Sequence, residues 1–543
     1  MSVPIQAPAS SRAMNLAYWS THNARRLGDQ TALVWLDKSW TWAQFDARVS
    51  ALAAGLRALG VNAGSTIVVH SKNSNEMFES MFAAFRLGAV WVPTNFRLMP
   101  DEVVYIAEKS KSHTLLCQTD FPEYAEAVCA ARPGTQVLWM VGSRAPADDR
   151  PQISELVKSN LGCFVANAAV DRDTACWFLF TSGTTGKPKA AVLTHGQMNF
   201  VVNNHLADLM PEVDQADGAL VLAPLSHGAG VHQLVLVARG AKAVLLPSDK
   251  FSADLAWELI EQHRLTTMFT VPTILKMLVE HPSVDQRDHS SLRFVVYAGA
   301  PMYEVDKRHA LEKLGPVLVQ YYGLGEVTGA ISVLPARDHT QDDRCRPGTC
   351  GFERTGIELS VQDEQGRELD LGETGEICVI GPAVFVGYFD DPAANAKAFR
   401  NGWFRTGDLG YMDRDGYAYL TGRSSDMYIS GGSNIYPREL EEKILTHEGI
   451  AEVAVVGLPD PQWGEVGVAV CVLKPGASLD EAQLLGWMST RIARYKVPKR
   501  VLFWDQLPKS GYGKVPKRLV KDEILRRGVG WERNSEIPTD ASR

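Results

Sequence analysis

The sequence predicts an α/β fold: a large N-terminal domain of parallel sheets covered by helices, carrying a small β-barrel-like subdomain, and then a small α+β C-terminal domain. Three observations predict it. At 543 residues the chain is too long for a single hydrophobic core. Helical and strand patterns alternate over residues 40–115 and again over 218–300, the rhythm of parallel strands joined by covering helices. From about residue 350 the pattern changes to short strands separated by Asp/Gly turns, and after Arg423 it returns to mixed α/β. The expected domains are therefore 1–423 and 424–543.

Taken in order, residues 42–59 carry apolar side chains at helical spacing, with Gly60 as the stop. Residues 66–70 read as a strand, 75–87 as a helix and 89–93 as a strand. The apolar run 176–180 reads as a buried strand, and 190–195 is a second short apolar run. Strands are also expected at 220–222, 243–246, 268–271 and 294–297. The turns Asp363-Glu364-Gln365-Gly366 and Asp413-Arg414-Asp415-Gly416 suit antiparallel β structure. A helix is expected over 437–447, with Pro437 at its start and Glu439, Glu441 and Glu442 in its first turns, where acidic groups suit the helix dipole. Strands follow at 451–456 and 466–473, and the segment after Gly530 is polar.

Composition excludes several classes. Hydrophobic residues at 45% and charged residues at 22% are ordinary for a soluble globular protein. A net charge of −8 argues against non-specific nucleic-acid binding, though not against an anionic ligand in a local basic site. The eight cysteines are scattered without a C-x-x-C pair, so neither a zinc site nor a disulfide scaffold is signalled, and reduced thiols in a cytoplasmic protein are expected. Residues 1–12 lack the apolar core of a signal peptide, and the last three residues match no address signal. No stretch reaches the roughly 18 apolar residues needed to span a bilayer, so no integral membrane segment is expected.

The most informative stretch is Thr181-Ser182-Gly183-Thr184-Thr185-Gly186-Lys187-Pro188-Lys189, directly after the apolar run 176–180. Glycines let a backbone come close to a ligand, hydroxyls and N–H groups donate to phosphate oxygens, and lysine adds charge. The spacing is not that of the common P-loop; the plain alternative is a surface loop. In Gln320-Tyr321-Tyr322-Gly323-Leu324-Gly325-Glu326, an aromatic followed by glycine can stack a base, and a carboxylate four residues on can hold Mg²⁺ beside phosphates. A core tyrosine and a surface glutamate are the alternative. In Gly402-Trp403-Phe404-Arg405-Thr406-Gly407-Asp408-Leu409-Gly410, Asp408 can accept hydrogen bonds from ribose hydroxyls, or it can be a turn aspartate. The glycine-flanked loop Pro508-Lys509-Ser510-Gly511-Tyr512-Gly513-Lys514 can project Lys514 into a cleft, where an ammonium could neutralise charge at an α-phosphate. His227, followed by Gly228-Ala229-Gly230, has open space beside it or is a structural histidine.

Together these motifs span most of the chain, and in this order they resemble the adenylate-forming superfamily, which includes acyl- and aryl-CoA synthetases. The resemblance implies ATP, Mg²⁺ and coenzyme A, with a small carboxylic acid as partner. It assigns phosphate contacts to Thr181, Ser182, Gly183, Thr184, Thr185, Gly186 and Lys189, and the adenine to Gly299, Ala300, Pro301, Tyr322 and Gly323. Asp408 and Arg423 face the ribose, Glu326 holds the metal, and Thr181, Glu326 and Lys514 serve catalysis. His227, Gly228 and Gly325 line the acid pocket. The small domain is expected to rotate at a hinge near Ser425, bringing Gly431 and Gly432 to the pantetheine channel, with Trp463 at the CoA nucleotide. Gly325 stands where the family usually has threonine, leaving a hydroxyl's role vacant or moved to Thr328. Ser425 stands where Asp or Lys is common. The segments expected around the acid, 227–233, 298–301 and 320–325, carry no Lys or Arg, which favours a monocarboxylate, aromatic or medium-chain fatty. Two other readings are a ligase loading a carrier protein and a nucleotide-switched binding protein. The oligomeric state is left open, a homodimer included.

Overall fold

The computed structural model describes residues 12–181, 187–247, 251–300, 302–339, 345–423, 426–430, 433–509 and 515–528. The chain divides into two compact units, 1–420 and 421–543.

The first unit is built on two sheets. One has six strands in the order Lys189–Thr194, Ala175–Thr181, Val90–Thr94, Thr66–His70, Thr114–Gln118, Gln136–Met140, all parallel except the first pair, which is an antiparallel hairpin. The second is a mixed sheet of fourteen strands among the described residues. Its centre is parallel: Thr31–Trp35, Lys242–Leu245, Gly218–Val221, Thr267–Thr270, Phe294–Tyr297 and Leu318–Tyr322. From Leu318–Tyr322 it continues antiparallel through Ser332–Leu334 and Thr349–Glu353 to Tyr417–Arg423, Trp403–Met412, Gly375–Ile380 and Glu358–Gln362.

The covering helices form where the sequence caps them. Thr41 and Gln44 make a reciprocal capping box for Trp42–Ala58. Ser74 accepts from Met77 N–H at the start of Asn75–Leu87, and Gly88 ends that helix at φ 69°, a left-handed conformation that suits glycine. The two helices pack through Phe45, Phe78 and Phe82, whose ring centroids lie 5.4–5.6 Å apart. Strand Val90–Thr94 is buried on both faces, as parallel strands between helices are. The apolar run 190–195 divides: Lys189–Thr194 is strand, and His195 opens helix His195–Asp208 because Thr194 and Gln197 form a second capping box.

The second unit is a five-stranded sheet in which Gly464–Leu473 pairs antiparallel with Ile450–Asp460 and Tyr428–Ser430, and parallel with Arg500–Phe503. Ser433–Ile435 extends it beyond Tyr428–Ser430. Helix Pro437–Ile444 is three residues shorter than its sequence pattern. Tyr428 is buried over Gly457, where a Cβ would come 2.2 Å from Tyr428 Cβ, so only glycine fits. Half-buried Lys517, at the start of helix Lys517–Arg526, pairs with Glu441, which also accepts Val455 N–H at 2.6 Å. Among the described residues no helix is long and apolar enough to cross a membrane. All eight cysteines are free.

Candidate active site

Parallel strands present their carboxyl ends, and the loops that leave them, on one side of a sheet. Phe294–Tyr297 and Leu318–Tyr322 are parallel neighbours, with Tyr297 opposite Gln320. The Gly299-Ala300 turn and the Tyr322-Gly323 segment therefore leave from adjacent strand ends. Gly299 has φ 86°, which glycine adopts without strain. Gly323 packs so closely on Gly329 that a Cβ would lie 2.6 Å from its backbone. That approach closes the loop 323–329 and sets Glu326 in a 3-10 turn, Gly325–Val327.

Glu326 is buried, at 5% exposure, and held from three directions. Thr181, the last residue of its strand, donates its hydroxyl to Oε1 at 2.7 Å. Tyr388 donates its phenol to the same oxygen at 2.9 Å. Phe385 N–H binds the Glu326 carbonyl at 2.8 Å. No described residue donates to Oε2. Among the described residues no group of three or more metal-binding side chains occurs. A single carboxylate with one uncommitted oxygen fits Mg²⁺, which keeps several waters and takes further ligands from nucleotide phosphates. Lys189 lies on the same side, its Nζ 5.1 Å from the Tyr388 ring centroid. Burial and the neighbouring Glu326 both raise the Tyr388 phenol pKa, so it stays protonated and donating. Ser182, Gly183, Thr184, Thr185 and Gly186 lie outside the described residues.

Asp408 is not a turn residue. It sits within strand Trp403–Met412, where the register against Gly375–Ile380 shifts between Glu376 and Cys378. Gly407, at φ 73°, takes the left-handed conformation of this bulge, and bulges re-aim side chains. The buried Asp408 carboxylate accepts the Tyr322 hydroxyl at 2.7 Å across 86 residues of sequence. Its N–H donates to Thr406 Oγ1 at 3.0 Å. Burial, followed by the charge of Asp408, holds the Tyr322 pKa well above the usual phenol value, so this proton too stays in place.

On the other face of the Tyr321-Tyr322 pair lies a stack of rings. His232 is parallel to Phe269 at 4.6 Å and to Tyr321 at 5.9 Å. Gly228 abuts them: a Cβ there would lie 2.8 Å from Phe269 Cζ and 3.4 Å from the Tyr321 hydroxyl. Half-buried His227 precedes helix Gly228–Arg239 and shares a 2.9 Å hydrogen bond between its Nδ1 and Ser226 Oγ. Burial lowers the His232 pKa to about 3, so the ring is neutral. Behind the stack is a cation on a segment that the sequence reading did not consider, Arg354. It lies 3.0 Å from His205 Nδ1 and 3.7 Å from Asp208. Burial lowers its pKa to about 10, with Asp208 opposing.

Gly325 does not face open space. A Cβ there would come 2.8 Å from Leu179 Cδ2 and 2.9 Å from Thr181 Cγ2. Glycine at this position lets the Glu326 turn sit against the strand. Thr328 donates its hydroxyl to the Val327 carbonyl at 2.7 Å.

A family model described as AMP-binding enzyme matches residues 20–389, and one described as AMP-binding enzyme C-terminal domain matches residues 439–514. The chain belongs to the adenylate-forming AMP-binding enzymes. A feruloyl-CoA synthase of Amycolatopsis sp is 36% identical over 518 residues, covering 95% of this chain and 99% of that protein. An indoleacetate–CoA ligase of Aromatoleum aromaticum is 34% identical, covering 95% and 99%. The structure of an o-succinylbenzoate CoA synthetase from Bacillus subtilis, in complex with its acyl-adenylate intermediate, superimposes with a TM-score of 0.81 at 30% identity, covering 93% of this chain and 98% of that one.

In this AMP-binding enzyme the remaining candidates, Pro301 apart, belong to the second unit. Arg423 ends strand Tyr417–Arg423. Trp463, in the turn before strand Gly464–Leu473, is 44% exposed, and Lys499 Nζ lies 5.8 Å from its ring centroid. Pro301, Ser425, Gly431, Gly432 and Lys514 lie outside the described residues. Tyr388, Phe269, His232 and Lys499 were not among the sequence candidates. Tyr388 could have been suspected only from its following Gly387. The others carry no local pattern that separates them from core or surface residues.

Proposed function

We propose that this chain is an ATP-dependent carboxylic acid–CoA ligase acting on a monocarboxylic aromatic or medium-chain fatty acid. The observation that carries the reading is Glu326. It is a buried carboxylate fixed by two hydroxyls on one oxygen, at the mouth of a strand whose next residues are a glycine-, hydroxyl- and lysine-rich loop.

A carboxylate is a poor acyl donor because its leaving group would be oxide. In the first half-reaction an oxygen of the acid attacks the α-phosphorus of ATP. The bond to the bridging oxygen breaks, and pyrophosphate leaves with that electron pair. In the second, the thiol sulfur of CoA attacks the acyl carbon, the C–O bond to AMP breaks, and the thiol proton is lost. Thr181 and the loop 182–189 are assigned to the phosphates, Tyr322 and the Gly299-Ala300-Pro301 turn to the adenine, and Asp408 with Arg423 to the ribose. Mg²⁺ bound at Glu326 would neutralise charge on the phosphate oxygens. Lys514 is assigned to the acid carboxylate and the α-phosphate in the first half-reaction only, with Ser425 as the hinge that withdraws it. His227 and Gly228 are assigned to the acid pocket, and Gly431 and Gly432 to the pantetheine arm.

The ring stack of His232, Phe269 and Tyr321 supports a flat acid, as do relatives named for ferulate and indoleacetate. Arg354 is matched by Asp208, which supports the reading against a second substrate carboxylate. Trp463 under Lys499 suits an adenine and a phosphate, which supports CoA over a carrier protein as acceptor. Pyrophosphate release across a panel of acids, with and without CoA, tests the proposal: release of phosphate instead, or none with any acid, overturns it. Lys514→Ala should lower adenylation about 10²–10³-fold, the typical loss of one charge-stabilising donor, while thioester formation from preformed acyl-AMP continues. Equal losses in both half-reactions would remove Lys514 from its assigned role.

A further inference from the structure

We infer that Tyr388 is a positioning residue for the metal-binding carboxylate: its phenol presents Glu326 Oε2 to the cation that accompanies the nucleotide. The inference rests on the assignment of Glu326 as the metal carboxylate and adds the group that holds it ready.

The geometry begins with the backbone. Residues 387–389 run antiparallel along the free edge of strand Lys189–Thr194. Val192 N–H donates to the Gly387 carbonyl at 3.0 Å and Phe389 N–H to the Ala190 carbonyl at 2.9 Å. Asn395 clamps Tyr388 from the other side: its Oδ1 accepts Tyr388 N–H at 2.6 Å and its Nδ2 donates to the Tyr388 carbonyl at 3.0 Å. Gly387, at φ 131°, permits that approach, since a Cβ there would stand 3.0 Å from Asn395 Oδ1. The Tyr388 ring is seated edge-on against Phe385 at 4.8 Å. Every part of Tyr388 is fixed before any ligand arrives.

The same short segment grips Glu326 twice, through Phe385 N–H on its carbonyl and Tyr388 on its carboxylate. The phenol and Thr181 both bind Oε1, so the carboxylate plane is set while Oε2 stays uncommitted among the described residues. Outer hydrogen bonds of this kind orient metal-binding side chains, and their loss typically lowers metal affinity about 10–100-fold. The ring also carries Lys189 over its face. One side chain thus links the metal carboxylate to a lysine of the phosphate loop. Tyr388→Phe separates the two functions, because it removes only the hydroxyl and keeps the ring.

Calorimetric titration of ATP without acid, across a range of Mg²⁺ concentrations and in parallel with EDTA, tests this on wild type, Tyr388→Phe and Glu326→Gln. Tyr388→Phe should raise the Mg²⁺ concentration for half-maximal ATP binding about tenfold, leave ATP affinity in EDTA within about twofold, and melt at the wild-type temperature. An unchanged Mg²⁺ dependence in Tyr388→Phe, with a shifted one in Glu326→Gln, overturns the inference and leaves the metal carboxylate in place. Equal loss of ATP binding with and without Mg²⁺ also overturns it, since a structural tyrosine would behave so. If Glu326→Gln itself leaves the Mg²⁺ dependence untouched, the metal assignment fails and this inference falls with it.

Discussion

The two faces of the Tyr321-Tyr322 pair are built in opposite ways. On the polar side Tyr322 meets Asp408 at 2.7 Å, and in the loop beyond the same strand end Thr181 and Tyr388 meet Glu326 at 2.7 and 2.9 Å. On the other face rings stack, and polar atoms go unanswered. His205 Nε2, His232 Nε2 and Gln233 Oε1 are buried without a hydrogen-bond partner among the described residues. Paired hydrogen bonds are directional and fix positions to a few tenths of an ångström. Ring stacking is broad in angle and tolerates substitution of shape. The first face suits a ligand that never changes, the nucleotide. The second suits a ligand that the fold can exchange. Changes on the polar face should therefore harm every acid alike, and changes on the stacked face should discriminate among acids.

Between the two faces, the larger effect is expected at Asp408. Asp408→Ala removes the assigned ribose acceptors, and charge-assisted hydrogen bonds contribute roughly 1.5–3 kcal/mol each, so the KM for ATP should rise about tenfold or more with every acid. It also leaves the half-buried Tyr322 hydroxyl without this acceptor, which should lower stability by about 1 kcal/mol. Asp408→Asn keeps an acceptor for Tyr322 and should recover most of the stability while the KM stays high. Chemical denaturation and ATP kinetics on both variants separate the two effects. An unchanged KM in a folded Asp408→Ala enzyme would make Asp408 a partner of Tyr322 only, and the two faces would lose their contrast.

On the stacked face, Gly228→Ala sharpens the comparison. Its Cβ would stand 2.8 Å from the Phe269 ring, so the ring must move. Pocket changes of a single carbon are typically worth about 10–200-fold between substrates. We expect a loss near the lower end, about tenfold in kcat/KM, for bulky aromatic acids and little for short acids. Equal losses for both would place Gly228 outside the acid pocket.

Much of this architecture was legible in the sequence, and the part that was not has a physical reason. The helix Asn75–Leu87 and the strands Thr66–His70 and Phe294–Tyr297 match their patterns residue for residue, because apolar periodicity, caps and glycine stops are local signals. The family, too, was readable from short motifs. Tyr322 and Asp408 were each visible as motif residues, but their hydrogen bond joins positions 86 apart, and no spacing rule carries that. Asp408 was legible as a turn candidate because Gly407 precedes it; that the glycine serves a bulge inside a long strand depends on the register with Gly375–Ile380. The ring stack draws on helix Gly228–Arg239 and strands Thr267–Thr270 and Leu318–Tyr322. Each ring alone reads as core.

Gly325 is where a sequence argument and the packing part company, and it gives the smallest effects. By family pattern the position lacks a threonine, so restoring it would add a donor for the α-phosphate. By packing, the new Cβ meets Leu179 and Thr181 at 2.8 and 2.9 Å. Overpacking of this kind costs about 1–3 kcal/mol, and the side chain displaced is one that holds Glu326. Gly325→Thr should therefore slow adenylation several-fold with every acid, short or bulky, the signature of the polar face. Thr328, the other candidate for the missing donor, turns its hydroxyl to the Val327 carbonyl. Thr328→Val keeps the β-branched shape at φ 50° and loses only that bond, so stability should fall by about 1 kcal/mol or less, with adenylation unchanged within about twofold. Pre-steady-state pyrophosphate release with a short and a bulky acid checks both variants. A rate gain in Gly325→Thr with every acid would mean that the strand yields and that the polar face has room for a further donor. A loss in Thr328→Val that exceeds its loss of stability would mean that its hydroxyl leaves Val327 for the nucleotide during the reaction.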